Sequence, residues 1–118
     1  MEIPSSPIDY PGIVEKIGNY CTEIMEDSAT SRNLMLTFEG VVMQNIFSKY
    51  GSDPETYPII LVAEHSKKDD TLTADYTWGG SRFDPVSEGD GLSAMILSRL
   101  TKELKYSYDG KNHISMTL

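Results

Sequence analysis

The residues with the most chemical content lie between Phe83 and Leu118. Phe83-Asp84-Pro85 is followed by a short acidic gap. Then comes Gly89-Asp90-Gly91-Leu92-Ser93-Ala94, a glycine-bearing lead into a helix pattern. Free backbone amides at a helix start favour an anion, whereas Glu88 and Asp90 beside them repel a triphosphate. Farther on, within Asp109-Gly110-Lys111-Asn112, the pair Asp109-Gly110 reads as a hairpin turn. His65 with Asp69 and Asp70 offers donors to a metal, but no closing ligand set accompanies them, and solvation is expected. His113 is expected to face outward at the start of the last strand. Cys21 has no histidine at a supporting spacing and falls on an apolar helix face. Tyr106 and Tyr108 are expected to decorate a strand rather than stack bases.

Composition narrows the partners. Ten Lys and Arg stand against eighteen Asp and Glu, a formal net charge of −8. Nucleic-acid binding rests on neutralising phosphates with basic groups. No basic cluster here is longer than Lys67-Lys68, so neither a nucleic acid nor an anionic membrane surface is an expected partner. No apolar run reaches the roughly 18 residues of a membrane span. The start, Met1-Glu2-Ile3-Pro4-Ser5, has no basic-then-apolar export pattern. Cys21 is the single cysteine, which suits a reducing compartment. The expected location is the cytoplasm.

At 118 residues the chain reads as one domain, 1–118. The spacing predicts a helix over 11–26, with Ile13, Ile17, Tyr20, Cys21 and Ile24 on one face. Asp27 to Ser31 reads as a turn, with Ser31 a cap for the next helix. A second helix, about 33–50, carries Leu34, Phe38, Val41, Val42 and Ile46 inward and stops at Gly51. Pro58 to Ala63 is an apolar strand, and Ser66 to Asp70 a polar turn. Leu72, Ala74, Tyr76 and Trp78 then alternate with polar residues as a strand with one buried face. A third helix is expected over about Leu92–Leu104. Leu92, Ile96, Leu100 and Leu104 form its stripe, and Ser87 and Asp90 its cap pair. A hairpin with Ile114, Met116 and Leu118 inward closes the chain. Helices on one side of such a sheet give an α+β two-layer sandwich.

The order of these motifs resembles the small histidine-kinase-like (GHKL) ATPase domains, specifically the bacterial anti-sigma-factor serine kinases. The resemblance spans nearly the whole chain. It implies a mixed, mostly antiparallel sheet of the Bergerat type and a site for ATP and magnesium. Within Leu36-Thr37-Phe38-Glu39-Gly40-Val41-Val42-Met43-Gln44-Asn45-Ile46, Asn45 matches the family's magnesium-ligating Asn. Its amide carbonyl is the hard oxygen donor that ion requires. Without the resemblance, Asn45 reads as a buried amide bonded to backbone. Gly80 matches the glycine of the adenine-side turn and Gly91 that of the second glycine box. Asp84 is a nearby carboxylate away from the matching adenine position.

Three departures accompany the match. The family's general-base Glu, one turn before the Asn, is replaced by Val41, which cannot accept a proton, and Glu39 falls on a different face. The Asp that reads adenine is replaced by Trp78, a donor that cannot accept a hydrogen bond. The nucleotide lid is reduced to Val86-Ser87-Glu88-Gly89-Asp90. The expectation is therefore a degenerate domain that acts in signal transduction and transcription regulation by binding a protein, such as a sigma factor or an antagonist domain, and that pairs as a homodimer. No resident cofactor is expected. The alternative is a retained ATP- and magnesium-binding serine/threonine protein kinase, with Asn45, Gly80, Asp84 and Gly91 holding the nucleotide and Asn45 the metal.

Overall fold

A computed structural model describes residues 1–3, 10–24, 28–51, 53–66, 68–69 and 71–118. The elements run β1 (Glu2–Ile3), α1 (Tyr10–Ile24), α2 (Ser28–Phe38), a π-helical segment (Glu39–Ile46), α3 (Phe47–Tyr50), β2 (Ile59–Ser66), β3 (Thr71–Trp78), α4 (Gly91–Leu100), β4 (Glu103–Tyr108) and β5 (Asn112–Thr117). Four long strands make an antiparallel sheet, and β1 pairs at its β2 edge, giving the order β1-β2-β3-β5-β4. This is an α+β fold.

Period-two patterning explains the sheet. Leu72, Ala74, Tyr76 and Trp78 on β3 are all buried, as are Leu61 on β2 and Ile114 and Met116 on β5. The register places Ala74 opposite Met116 and Tyr76 opposite Ile114, so these side chains share one face. They join Ile13, Ile17 and Cys21 of α1 and Leu34, Phe38, Val41, Val42 and Ile46 of the long helix in a single core. The helices thus cover one face of the sheet. The other face carries Thr73, Asp75, Ser115 and Lys105, which are exposed or half-buried.

Every pairing among the described strands is antiparallel, where a mixed sheet was expected. A helical crossover from β3 to β4 would make those two strands parallel neighbours. Instead β5, the returning arm of the last hairpin, lies between them.

The long helix departs from simple α periodicity. Phe38 and Phe47 both keep right-handed helical dihedrals, so α2, the π-helical segment and α3 run on as one rod. Wide π turns are uncommon and concentrate at functional positions. Gly51, at φ 58°, ends the rod as expected. Ser31 lies inside α2 rather than capping it. The turn residues Asp27, Lys67 and Asp70 fall outside the described residues.

The third helix differs most. It ends at Leu100, with Thr101 extended and its hydroxyl bonded to the Leu97 carbonyl at 2.8 Å. Leu104 belongs to β4, opposite Met116. The ladder with β5 outweighs the helical pattern that Lys102 to Tyr106 carries locally. The buried positions of α4 are Ser93 and Leu97, whereas Leu92 and Ile96 are exposed. Its cap also differs: Asp90 itself accepts from the Ser93 amide at 3.0 Å and the Ser93 hydroxyl at 2.9 Å. Ser87 donates instead to Asp84. No helix among the described residues is long and apolar enough to cross a membrane.

Candidate functional site

Asn45 sits on the π-helical segment and is 2% exposed. The i to i+5 repeat of that segment stacks it over Gly40, whose carbonyl accepts from the Asn45 amide nitrogen. Its oxygen accepts the backbone N–H of Asp90 at 2.9 Å. The oxygen that a metal would need is therefore already bonded to the loop entering α4. Gly89 makes that contact feasible, because a Cβ there would run into Asn45 Oδ1 and the Pro85 carbonyl.

The loop is held by its own carboxylates. Asp84 accepts from the Val86 amide at 2.9 Å and the Ser87 hydroxyl at 3.0 Å. Its own amide donates to Glu88 at 2.7 Å. An Asx turn of this kind consumes the oxygens that would otherwise face a ligand. Arg82 lies 3.5 Å from Glu88 across an exposed ion pair. Residues 84–90 thus form a small self-bonded cap seated on Asn45.

A groove of about 330 Å³ runs beside this cap, lined by Gln44, Ser48, Lys49, Phe83, Glu88 and Asp90 among others. Lys49 lies over the Phe83 ring at 5.7 Å. One cation facing two carboxylates leaves the groove electrostatically unfavourable for a triphosphate. Among the described residues, no group of three His, Cys, Asp or Glu side chains gathers to hold a metal.

Gly80 lies apart from Asn45 in the chain but meets the same rod. It takes φ 86°, and a Cβ there would stand 3.0 Å from both the Thr56 hydroxyl and the Tyr50 ring. Its neighbour Gly79 donates to the Thr56 carbonyl at 3.0 Å. Gly91 is the first residue of α4; it is exposed, and a Cβ there meets nothing. Of the four expected ligand positions, Asn45 and the Asp84 loop come together. Gly80 packs against Tyr50, and Gly91 is open to solvent.

Val41 is fully buried among apolar side chains, and Glu39 is exposed. Trp78 is 1% exposed and packs at 6.4 Å, tilted 44°, against Tyr106. It also lines a small groove with Thr56 and Gly79. Its N–H and the Thr56 hydroxyl have no hydrogen-bond partner among the described residues. Burial raises the Cys21 thiol above its ordinary range, which disfavours the nucleophilic thiolate.

One structural residue was not singled out by sequence reasoning. Asn112 is fully buried. Its amide nitrogen donates to the Ser81 carbonyl at 3.1 Å, and its oxygen accepts from the Phe83 amide at 2.9 Å and from the Tyr106 hydroxyl. It ties the 79–83 turn to the sheet. The signal was available: Asn112 precedes Ile114 and Met116 at period two, an inward polar position that needs partners. His113, by contrast, is half-buried and bonds Asp109 at 2.9 Å and Thr77 at 3.3 Å. The Asp109 carboxyl is held below its ordinary value by that hydrogen bond.

No protein-family model matches this chain. A search of curated proteins likewise returns no significant match.

Proposed function

We propose that this is a degenerate domain of the GHKL kind, related to bacterial anti-sigma regulatory factors, that acts by binding another protein and has lost kinase chemistry. The order of elements supports the reading: two helices with an Asn on the second, a strand pair, a glycine turn, a short cap, a helix and a closing hairpin. The observation that carries the loss of chemistry is the hydrogen bond from the Asp90 amide to Asn45 Oδ1. It commits one lone pair of the oxygen that the resemblance assigns to magnesium, and burial leaves Asn45 only 2% exposed. Buried Val41 and buried Trp78 add to it, since neither can accept the proton or the adenine amino group that the resembled mechanism requires. A sigma factor or antagonist domain in the cytoplasm is the partner this reading assigns.

Calorimetry with Mg-ATP tests it. The expected outcome is no binding up to millimolar nucleotide. A thermal shift gives the same answer, because a ligand at 100 times its dissociation constant adds about 2.7 kcal/mol to stability. Micromolar binding, abolished by Asn45→Ala, would overturn the reading and favour the ATP-dependent kinase.

A further inference from the structure

We infer that the groove between α4 and the long helix is the docking surface for an amphipathic helix of another protein, one that carries a basic residue beside its apolar stripe. This deepens the protein-binding reading above and rests on it. The observation is the apolar flank that α4 leaves in water. Ser93 and Leu97 face inward, with Leu97 packed 3.4 Å from where a Cβ on Gly40 would stand. Leu92 and Ile96, on the flank beside Ser93, and Met95 farther round the helix are 62%, 39% and 46% exposed. A surface helix ordinarily gives such positions to polar residues. Leu36 faces the same groove from α2 and is exposed too. These four are more than half of the seven large apolar side chains exposed among the described residues. Leu36, Leu92 and Ile96 line one groove, with Met95 next to Ile96 in α4, a grouping that marks an interaction site.

Shape and charge select the occupant. The groove encloses about 180 Å³, below the roughly 300–1,000 Å³ of small-molecule pockets. It takes side chains rather than a whole ligand. Asp90 bonds Asn45 at one end, and Leu97 packs on Gly40 farther along, so the two helices run antiparallel. A third helix completes such a pair by seating its ridge in their groove. Glu39, exposed, lines the groove and is complemented by a Lys or Arg on the incoming helix, to which the charge of the helix-capping Asp90 adds. Arg32 and Arg99, both exposed, stand one turn beyond Leu36 and Ile96 and favour an acidic residue at the other end. The net charge of −8 disfavours a second copy of this chain and favours a basic partner.

The probe is a synthetic helical peptide with Leu at alternating three- and four-residue spacing, Lys at one end and Glu at the other, followed by amide NMR of the full chain. The expected result is saturable shifts confined to the neighbourhood of Leu36, Leu92, Met95 and Ile96. Ile96→Glu and, separately, Leu92→Glu weaken binding roughly tenfold or more, the loss typical of a buried anchor. Both variants keep the parent circular dichroism spectrum, because the two positions are exposed. Glu39→Lys weakens the same peptide and strengthens its Lys→Glu version. Shifts elsewhere, or none at millimolar peptide, overturn the proposal. So does a dimer in sedimentation that Ile96→Glu dissolves, because the face then belongs to a second copy. A parallel Mg-ATP titration separates the two readings. Nucleotide binding overturns the loss of chemistry whatever the peptide does, whereas absence of both kinds of binding overturns only the groove.

Discussion

The Asn45 corner and the outer face of α4 are built from neighbouring stretches of chain, and they treat their chemistry in opposite ways. At Asn45, both ends of the amide have partners, and the Asp84 and Asp90 carboxylates are spent on capping their own turn and helix. On the outer face of α4, the side chains left without a partner are apolar. A corner whose polar groups bond one another differs in kind from a helix flank that leaves large apolar side chains in water. The 84–90 cap links the two regions, because its last residue both bonds Asn45 and caps α4.

Perturbing each region sharpens the contrast. The largest effect is expected at Trp78, one of the largest fully buried side chains of the core. Trp78→Ala should cost about 3–5 kcal/mol in urea unfolding. Trp78→Phe should cost distinctly less, since the indole N–H has no partner among the described residues to lose. Equal losses for the two would mean that the indole N–H, and not side-chain volume, carries the stability at this position.

Asn45→Ala comes next. It strands the Asp90 amide and removes the donor to Gly40, and should cost about 1–3 kcal/mol. Amide exchange at Asp90 should quicken in the same variant. If stability were unchanged, the corner would not be self-satisfied and the comparison would fail.

The glycine pair gives a sharper contrast across the cap. Gly89→Ala puts a Cβ into Asn45 and Pro85 and should cost about 1–3 kcal/mol. Gly91→Ala, one position past the capping Asp90 and open to solvent, should be neutral or stabilising by up to about 0.5–1 kcal/mol. Melting temperatures of the two variants decide it.

Tyr76 is a control inside the core. Its hydroxyl bonds Thr37 at 2.9 Å, and burial pushes its pKa well above the ordinary 10.0. The unfolded chain therefore releases this proton first. The stability it contributes is whole below pH 10 and falls as pH rises through 10 toward the raised folded value. Tyr76→Phe should remove that alkaline loss at a cost of about 0.5–1.5 kcal/mol at neutral pH.

The smallest effect belongs to the open face. Leu92→Gln should change stability by no more than about 0.5 kcal/mol. A larger loss would show that α4 already packs against something within this chain.

Much of the architecture was legible in the residues. Strict alternation from Leu72 to Trp78 has one reading, a strand with a buried face, and the structure holds all four inward positions. The stripes of α1 and of the long helix were equally plain, because 3.6-residue spacing of Ile, Leu, Phe and Val leaves little choice of face. Two features were not legible. The stripe of α4 is ambiguous because apolar residues continue onto its flank, so periodicity selected Leu92 and Ile96 where packing selects Leu97. The run Lys102 to Tyr106 is helix-compatible locally and becomes a strand only because β5 supplies a ladder.

The site shows the same division. That Val41 cannot take a proton and that Trp78 cannot accept a hydrogen bond follows from side-chain chemistry alone. That the Asn45 oxygen is already occupied follows from a contact across 45 residues, which no local pattern encodes. Residue type sets what each group can donate, accept or bury. Which of those capacities remains free is decided only when distant backbone arrives to use them, as the Asp90 amide does at Asn45, whereas Leu92 stays 62% exposed.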